Sequence, residues 1–313
     1  MIPNQQSIVA KKALADFLKQ PENHIFCTEL TGGSNEGTIF KCTYQTTDYV
    51  IKFFTNRESG KNETAWAQHA SDHGVGPKFY YADPTASSMI TAFAKGDSLV
   101  PDTANSSAVI KSIAANLAKL HHSSAPFAHA SDIFTRIDAK YKKLHCAGKL
   151  KDILENGMQL VKIIEAEVKK FEVSPAPCHS DLNWGNIFIS NDQVTLIDWG
   201  DAALGNPYYD IAAFFVLNCI EKKNEMLFFQ HYDEKFLNPE WHAYMQLLKQ
   251  LVYFEFALGL LLGVQAGKSE LLNAQEIPPV EPISYYLTLL AKKEIKVDSD
   301  FLYNMAIASL DML

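Results

Sequence analysis

The chain has 313 residues, of which 47% are hydrophobic and 20% are charged, and its net charge is −8. This composition indicates a globular protein with a substantial core, and the acidic balance argues against a nucleic-acid partner bound through its phosphates. The five cysteines have no C-x-x-C spacing, so we expect reduced thiols in a cytoplasmic protein. We expect neither a signal peptide nor a membrane span, because the most apolar run, 251–264, is too short to cross a bilayer.

The first third of the chain predicts a small antiparallel sheet accompanied by helices. Residues 8–18 carry apolar side chains at helical spacing, and Pro21 ends that helix. Runs of β-branched and aromatic residues predict strands, with a second helix between the third and the fourth. The strands are expected at 24–30, 38–44, 49–54, 75–81 and 88–93, and the second helix at 58–73.

A glycine-rich segment, Thr31-Gly-Gly-Ser-Asn-Glu-Gly37, separates the first two strands. Glycine leaves backbone N–H groups open to close approach by phosphates. Gly32, Gly33, Ser34 and Asn35 are therefore candidates for holding a nucleotide. The same segment would serve equally well as a plain hairpin turn.

Lys52 lies inside the apolar run Tyr49-Val-Ile-Lys-Phe-Phe54. A buried lysine needs a partner, because burial of an unpaired charge is costly. Glu63 in the following helix is the expected partner, although Glu58 and Asn62 offer competing positions. The alternative is a lysine at a strand edge, facing solvent.

From residue 95 onward the chain is predicted to be mainly helical. We expect a domain boundary there, with 1–94 as an N-terminal nucleotide-binding lobe and 95–313 as a C-terminal lobe that carries the catalytic and acceptor-binding residues. Apolar residues at a period of 3.6 predict the helices. They are expected at 107–121, in two stretches of 133–171 separated near Gly148, and at 208–220, 241–265, 283–291 and 301–312.

Two motifs in the stretch 177–210 carry chemistry. His179-Ser-Asp-Leu-Asn-Trp-Gly-Asn186 has the pattern H-x-D-x-x-x-x-N, and Asp198-Trp-Gly200 follows a hairpin that turns at Asn191-Asp192. The hairpin folds Asp198 back towards Asn186. Phosphoryl transfer uses such a set, in which Asp181 accepts a hydroxyl proton while Asn186 and Asp198 hold Mg²⁺ on ATP. The alternative is an ordinary loop with scattered polar residues.

These motifs resemble the aminoglycoside phosphotransferase and choline kinase superfamily, which consists of small-molecule kinases. The resemblance rests on 179–186, on Ile197-Asp-Trp-Gly-Asp-Ala202 and on Gly205-Asn-Pro-Tyr-Tyr-Asp-Ile-Ala212. Ser180 and Asn206 depart from the commoner glycine and aspartate of the family pattern.

The resemblance implies an α+β, two-lobe, protein-kinase-like fold, with a small antiparallel-sheet N-lobe and a larger, mainly helical C-lobe. It implies that Lys52, positioned by Glu63, neutralises the ATP phosphates. It also implies that adenine bonds to the backbone from Thr91 to Phe93 at the link between the lobes. Asp210 is expected to cap a helix or to brace the catalytic loop.

The late helices are expected to form the wall that selects the acceptor. Glu255 is the only charge between Lys249 and Lys268, and a cationic acceptor would pair with it. The alternatives are a structural ion pair and a glutamate that faces solvent. Tyr253 could contribute to an aromatic cage or to the core.

Choline kinases of the superfamily that these motifs resemble usually carry two tryptophans, three residues apart, on a late helix. We would align them with Leu258 and Leu261 of this sequence. We nevertheless expect ATP- and Mg²⁺-dependent phosphorylation of a hydroxyl on an amino alcohol such as choline or ethanolamine. An aminoglycoside or a sugar is the alternative acceptor. A non-catalytic nucleotide-binding pseudokinase is the rival from another class, and a protein kinase is disfavoured because no A-P-E segment follows Asp198.

Overall fold

The computed structural model describes residues 5–30, 37–126, 130–233, 235 and 238–313, without the side chains of Gln5 and Gln6. These residues divide into two compact units. The first combines 1–97 with 188–202, and the second combines 98–187 with 203–313. The boundary predicted between 94 and 95 lies three residues before the first change of unit, between 97 and 98. The prediction placed 188–202 in the C-terminal lobe, whereas these residues belong to the first unit.

An antiparallel sheet forms the centre of the first unit. Its strands are β1 (Ile25–Leu30), β2 (Gly37–Tyr44), β3 (Thr47–Phe54), β4 (Phe79–Ala82) and β5 (Ser88–Ala92), in the order β1-β2-β3-β5-β4. Helix α1 (Gln5–Leu18) packs on β1 and β2, and α2 (Arg57–Asp72) packs on β3 and β4. Leu14, Phe40, Ile51 and Ile90 are buried between α1 and the sheet, because alternate strand residues face the same side.

A second, three-stranded sheet carries the predicted hairpin. It consists of β6 (Asp97–Ser98), β8 (Ile187–Ser190) and β9 (Gln193–Leu196), in the order β6-β8-β9. Asn191 and Asp192 have φ angles of 49° and 60°. This left-handed pair is typical of a two-residue type I′ turn, whose twist matches that of the flanking strands. The hairpin predicted around Asn191-Asp192 is therefore present.

The second unit is mainly helical, as the sequence predicted. Its helices are α3 (Pro101–Ala104), α4 (Ser107–His121), α5 (Ile133–Lys143), α6 (Gly148–Val168), α7 (Pro207–Leu217), α8 (Lys222–Tyr232), α9 (Pro239–Gly267), α10 (Ile283–Lys292) and α11 (Ser299–Leu310). A short antiparallel pair, β7 (Ala176–Cys178) and β10 (Ala203–Gly205), lies among them. Side chains of Ser106, Asp132, Asn206, Asn238 and Asp298 cap five of these helices at their N-termini.

Helix α9 packs against α5, α7 and α11. By length and composition alone it could cross a membrane, and half of its most apolar window is buried inside the protein. The core helix of a globular protein has the same composition, and α9 also packs against α6, so its contacts with four other helices are those of a core helix. No other helix among the described residues is long and apolar enough to span a bilayer.

A disulfide joins Cys27 on β1 to Cys42 on β2, where the two residues face each other across the strands. The prediction that all cysteines are reduced is therefore wrong for this pair. It rested on the absence of C-x-x-C spacing. Spacing along the chain carries no information about residues that strand pairing brings opposite each other. Cys146, Cys178 and Cys219 are free thiols. The predicted cytoplasmic location stays a prediction, and the cysteines no longer support it.

Candidate active site

Lys52 forms the centre of a buried ion-pair group in the first unit. Lys52 lies on strand β3 and is only 3% exposed. Its Nζ is 2.7 Å from Glu63 Oε1 and 3.1 Å from Asp198 Oδ1. Burial alone would lower the pKa of Lys52, but the two carboxylates outweigh it and raise the pKa. The ammonium is therefore held charged where two acidic side chains converge.

The register of α2 explains why Glu63 is the partner. Asn56 caps the helix by accepting from the backbone N–H of Glu58 at 2.8 Å, and Glu58 lies exposed in the first turn. Asn62 donates from Nδ2 to the Gly200 carbonyl at 2.9 Å. Both competing positions thus face away from Lys52, and the expected pair of Lys52 and Glu63 is the one that forms.

Asp198 leaves β9 in an unusual backbone conformation. Its φ is +63°, in the left-handed region that non-glycine residues seldom adopt. The Trp199 ring that follows is 2% exposed, and its Nε1 donates to the Leu196 carbonyl. The segment is therefore anchored on both sides of the aspartate, and the Asp198 carboxylate is turned towards Lys52.

The catalytic-loop motif lies in the second unit and holds Asp181 by hydrogen bonds. Asn183 Nδ2 donates to Asp181 Oδ1 at 2.8 Å, and Asn186 Nδ2 donates to Asp181 Oδ2 at 2.7 Å. The same nitrogen of Asn186 donates to the Asp181 carbonyl at 3.0 Å. The carboxylate is thereby fixed in direction while its remaining lone pairs can accept a proton.

The oxygen atoms of Asn186 and Asp198 suit Mg²⁺, which prefers oxygen ligands. The Asn186 amide nitrogen is engaged with Asp181, which leaves its Oδ1 for a metal. Asp198 uses Oδ1 for Lys52, which leaves Oδ2. Asp198 belongs to the first unit and Asn186 to the second, and the residue types present in each unit fit the ion.

Asp210 braces the catalytic loop, as the sequence suggested. It accepts from the backbone N–H groups of His179 at 2.7 Å and Ser180 at 2.8 Å, and His121 Nε2 lies 3.2 Å from it. Burial alone would raise the pKa of Asp210, but hydrogen bonding and charge from His121 hold it below its usual value. Tyr232, which sequence reasoning missed, bonds the other nitrogen of His121 at 2.8 Å.

The backbone proposed for adenine is largely occupied by the sheet. Thr91 pairs with Val50 and Phe79 on its two sides, and the N–H of Phe93 donates to the Asp48 carbonyl at 3.1 Å. The N–H groups of these two positions therefore serve the fold. Gly32, Gly33, Ser34 and Asn35 lie outside the residues that the structure describes, so the phosphate-binding role of that loop stays a prediction.

Glu255 has partners that the sequence did not reveal. Arg136 on α5 binds it with two nitrogens, at 3.0 and 2.9 Å, Lys140 lies 3.0 Å away, and the Tyr209 hydroxyl donates to it. Burial alone would raise the pKa of Glu255, but the two cations outweigh it and lower the pKa. The premise of a lone buried carboxylate is therefore wrong, and the geometry is that of the structural ion pair named as its alternative.

A cavity of about 90 Å³ lies beside the catalytic loop in the second unit. Its lining includes Ser180, Asp210, Arg136 and Tyr209. Glu255 is not among the lining residues, whereas its partners Arg136 and Tyr209 are. Arg136 was missed because it stands in no motif. Tyr209 lies within the segment 205–212, but its contact with Glu255 forms only where α7 meets α9 in the tertiary fold.

Tyr253 does not join this group. Two residues apart on a helix correspond to about 200° of rotation, so Tyr253 and Glu255 face opposite sides of α9. The Tyr253 carbonyl accepts from Ser309 on α11 at 2.8 Å, and burial raises the pKa of its hydroxyl to about 12. An acceptor-binding role for Tyr253 stays a prediction.

The chain matches one protein-family model and is similar to a curated protein. A family model described as "Phosphotransferase enzyme family" matches residues 27–247, which is more than half of the chain. The Protein LicA homolog of Metamycoplasma hominis is 27% identical over 128 residues, which cover 41% of this chain and 50% of that protein. The match thus spans about half the length of this curated relative.

Solved structures share the fold at low identity. The choline kinase LicA from Streptococcus pneumoniae has a TM-score of 0.70 and 17% identity, covering 99% of this chain and 100% of that one. The streptomycin-ATP-APH(2")-IIa ternary complex has a TM-score of 0.58 and 17% identity, covering 83% and 92%. The predicted α+β, protein-kinase-like fold is therefore confirmed.

Proposed function

Because the chain belongs to the phosphotransferase enzyme family, we propose that it transfers the γ-phosphoryl group of ATP to a hydroxyl of a small molecule. The observation that carries the proposal is the fixed carboxylate of Asp181, held by Asn183 and Asn186. In-line transfer needs such an oriented acceptor for the hydroxyl proton and little covalent chemistry from the protein.

The residues of the first unit have roles in holding ATP. Lys52 carries a positive charge that two carboxylates position, so it can neutralise phosphate oxygens without losing its orientation. Because the N–H of Phe93 is already donated to Asp48, we expect the base to bond to the next residue, Ala94, rather than to the amides of Thr91 and Phe93. The glycine-rich loop would cover the phosphates.

Asn186 and Asp198 are the residues that would hold Mg²⁺, through the oxygens that their other bonds leave available. When bound, the ion neutralises charge on the β- and γ-phosphates. Lys52 holds the Asp198 carboxylate in place through the contact between its Nζ and Asp198 Oδ1. Asp181 keeps the acceptor hydroxyl oriented and takes its proton.

For the acceptor we propose an amino alcohol of the choline or ethanolamine type. The Protein LicA homolog and the choline kinase LicA support this choice by sequence and by fold, respectively. Glu255 could bind the ammonium only in exchange for one of its own cations. Lys140 would be the one replaced, because its side chain is 37% exposed while Arg136 is 27% exposed and bidentate.

An aminoglycoside or a sugar is the second candidate acceptor. Leu258 and Leu261 are fully buried, so they fill the core at the positions where the resemblance to choline kinases would place two tryptophans. Arg136 and Lys140 outnumber the single carboxylate of Glu255, which suits an uncharged sugar better than a cation.

A screen of ATP consumption tests the function. Purified protein with Mg²⁺ is assayed against choline, ethanolamine, several aminoglycosides and simple sugars, with the Asp181→Asn variant as the blank. We expect acceptor-dependent ADP release with amino alcohols, absent from the variant. Nucleotide binding without turnover on any acceptor would favour the pseudokinase, and turnover on aminoglycosides alone would favour the second candidate.

A further inference from the structure

Helix α2 holds the segment 198–202 at two points. Through Glu63 it positions Lys52, which contacts Asp198 Oδ1 at 3.1 Å. Through the adjacent residue, Asn62, it donates to the Gly200 carbonyl at 2.9 Å and to the Ala202 carbonyl at 3.4 Å. Within the first unit, two adjacent residues of one helix thus support the same short segment, Asn62 directly and Glu63 through Lys52.

Asp198 needs that support because of its backbone. A φ of +63° is unfavourable for a residue with a side chain and persists only where the surroundings impose it. Residues 198–202 belong to no helix or strand. The hydrogen bonds from Asn62 therefore take the place of the backbone hydrogen bonds that a sheet would supply there. If these carbonyls were released, the segment could relax and rotate the carboxylate away from its present direction.

We propose that Asn62 is a positioning residue for Asp198, which it serves by fixing the carbonyl of Gly200. The proposal rests on the proposed function, in which Asp198 is the metal ligand. Asn62 itself touches neither metal nor nucleotide in this scheme. Residues that orient a metal ligand from behind typically change metal affinity about 10–100-fold when they are replaced.

Calorimetry with Mg·ATP on two variants is the first arm of the test. Asn62→Ala removes both hydrogen bonds, and Asn62→Asp keeps the shape while it turns a donor into an acceptor facing two carbonyls. We expect both variants to lose affinity for Mg·ATP by about tenfold or more, with Asn62→Asp at least as impaired. The matched control is Gln68→Ala, which removes an exposed amide from the same helix and should leave the affinity unchanged.

Fluorine NMR of protein labelled with 5-fluorotryptophan is the second arm and needs no metal. Trp199 lies inside the held segment, and its resonance is assigned with Trp199→Phe. We expect the Trp199 signal to shift or broaden in both Asn62 variants, while that of Trp241, in the second unit, stays as in the wild type. Thermal unfolding of each variant is measured in parallel.

Each outcome of the calorimetry and of the NMR experiment supports or overturns the proposed role of Asn62. Wild-type Mg·ATP affinity in both variants overturns the proposal, even if the melting temperature falls, because Asn62 would then be structural only. Lost affinity with an unchanged Trp199 signal overturns it too, since the effect would not pass through the segment. If Asp198→Ala keeps full Mg·ATP affinity, the metal role of Asp198 fails separately, and the Trp199 signal alone then decides whether Asn62 fixes this segment.

Discussion

Ser180 and Asp198, two residues of the phosphotransfer motifs, have left-handed backbones, with φ angles of +68° and +63°. Glycine adopts that conformation freely, which explains why the related pattern has glycine at the position of Ser180. Here the N–H of Ser180 donates to Asp210, and that bond helps to keep the strained turn in place. The motif therefore needs its brace as well as its catalytic side chains.

Replacement of Asp181 by asparagine tests the catalytic role. The variant keeps a side chain of the same size but cannot take a proton, so turnover should fall by about 10²–10⁴-fold with Mg·ATP affinity nearly unchanged. Steady-state kinetics and calorimetry measure the two quantities. Asp192→Asn, the same substitution at an exposed hairpin position, is the control. Near-normal turnover of Asp181→Asn would remove Asp181 from the mechanism.

The two proposed metal ligands should contribute unequally to the affinity for Mg·ATP. Asp198→Ala should abolish Mg²⁺-dependent ATP binding, whereas Asn186→Ala should weaken it less, because a carboxylate attracts the ion more strongly than a neutral amide oxygen. Calorimetry with Mg·ATP measures both affinities. An Asp198→Ala variant that binds Mg·ATP as tightly as the wild type would contradict this assignment.

Substitutions of Glu255 and of Lys140 should have opposite effects on KM for a cationic acceptor. If the acceptor replaces Lys140 at Glu255, then Glu255→Gln should raise KM for choline while Lys140→Met lowers it, with KM for ATP unchanged in both. Kinetics on choline and on an uncharged analogue of similar shape measure the difference. Equal changes for both acceptors, or a lower melting temperature alone, would identify Glu255 as structural.

At the scale of elements, the local sequence pattern correctly predicted a helix and a hairpin. The helix predicted at 107–121 has those bounds in the structure, and the Asn191-Asp192 hairpin formed as expected, because period and turn chemistry are local properties. Helix α8 was not predicted as a separate element. The disulfide between β1 and β2 was missed as well, because it depends on strand register rather than on spacing along the chain.

The disulfide should stabilise the β1–β2 hairpin. It closes a loop of 15 residues, for which restriction of the unfolded chain contributes about 3 kcal/mol. Urea unfolding of a variant with Cys27→Ser and Cys42→Ser should show a loss of this size, and dithiothreitol should destabilise only the wild type. Cys146→Ser is the control at a free thiol. Five reactive thiols in the unreduced, denatured wild type would show that the bond does not form in solution.

At the scale of the whole chain, the sequence predicted the phosphotransferase family, which the family model confirms, but it did not predict the surroundings of Glu255. His179 to Asn186 and Asp198 form short motifs whose spacing reflects one chemistry. The surroundings of Glu255 depend instead on α5, α7 and α9, which are far apart in sequence and meet through packing. Arg136 and Lys140 stand in no motif, and the position of Tyr209 within 205–212 does not reveal its contact with Glu255. Specificity that depends on such tertiary contacts cannot be predicted from motif spacing.

Two buried carboxylates, Asp210 and Glu255, should control stability in acid. Their pKa values are lowered in the folded chain from ordinary values of 3.8 and 4.5, because paired cations and hydrogen bonds outweigh burial. As pH falls, the unfolded chain therefore takes up protons before the folded one does. The stability they contribute is complete above the ordinary values and is lost as pH falls through them towards the lower folded values.

Urea unfolding between pH 7 and pH 3 measures this loss. Wild type should lose stability steeply below about pH 5, whereas Glu255→Gln should start less stable and show a shallower decline, because one of the two protonation steps is gone. Asp152→Asn, at an exposed position on α6, should follow the wild-type curve. A Glu255→Gln curve parallel to that of wild type across this range would mean that Glu255 is not the group whose protonation weakens the fold.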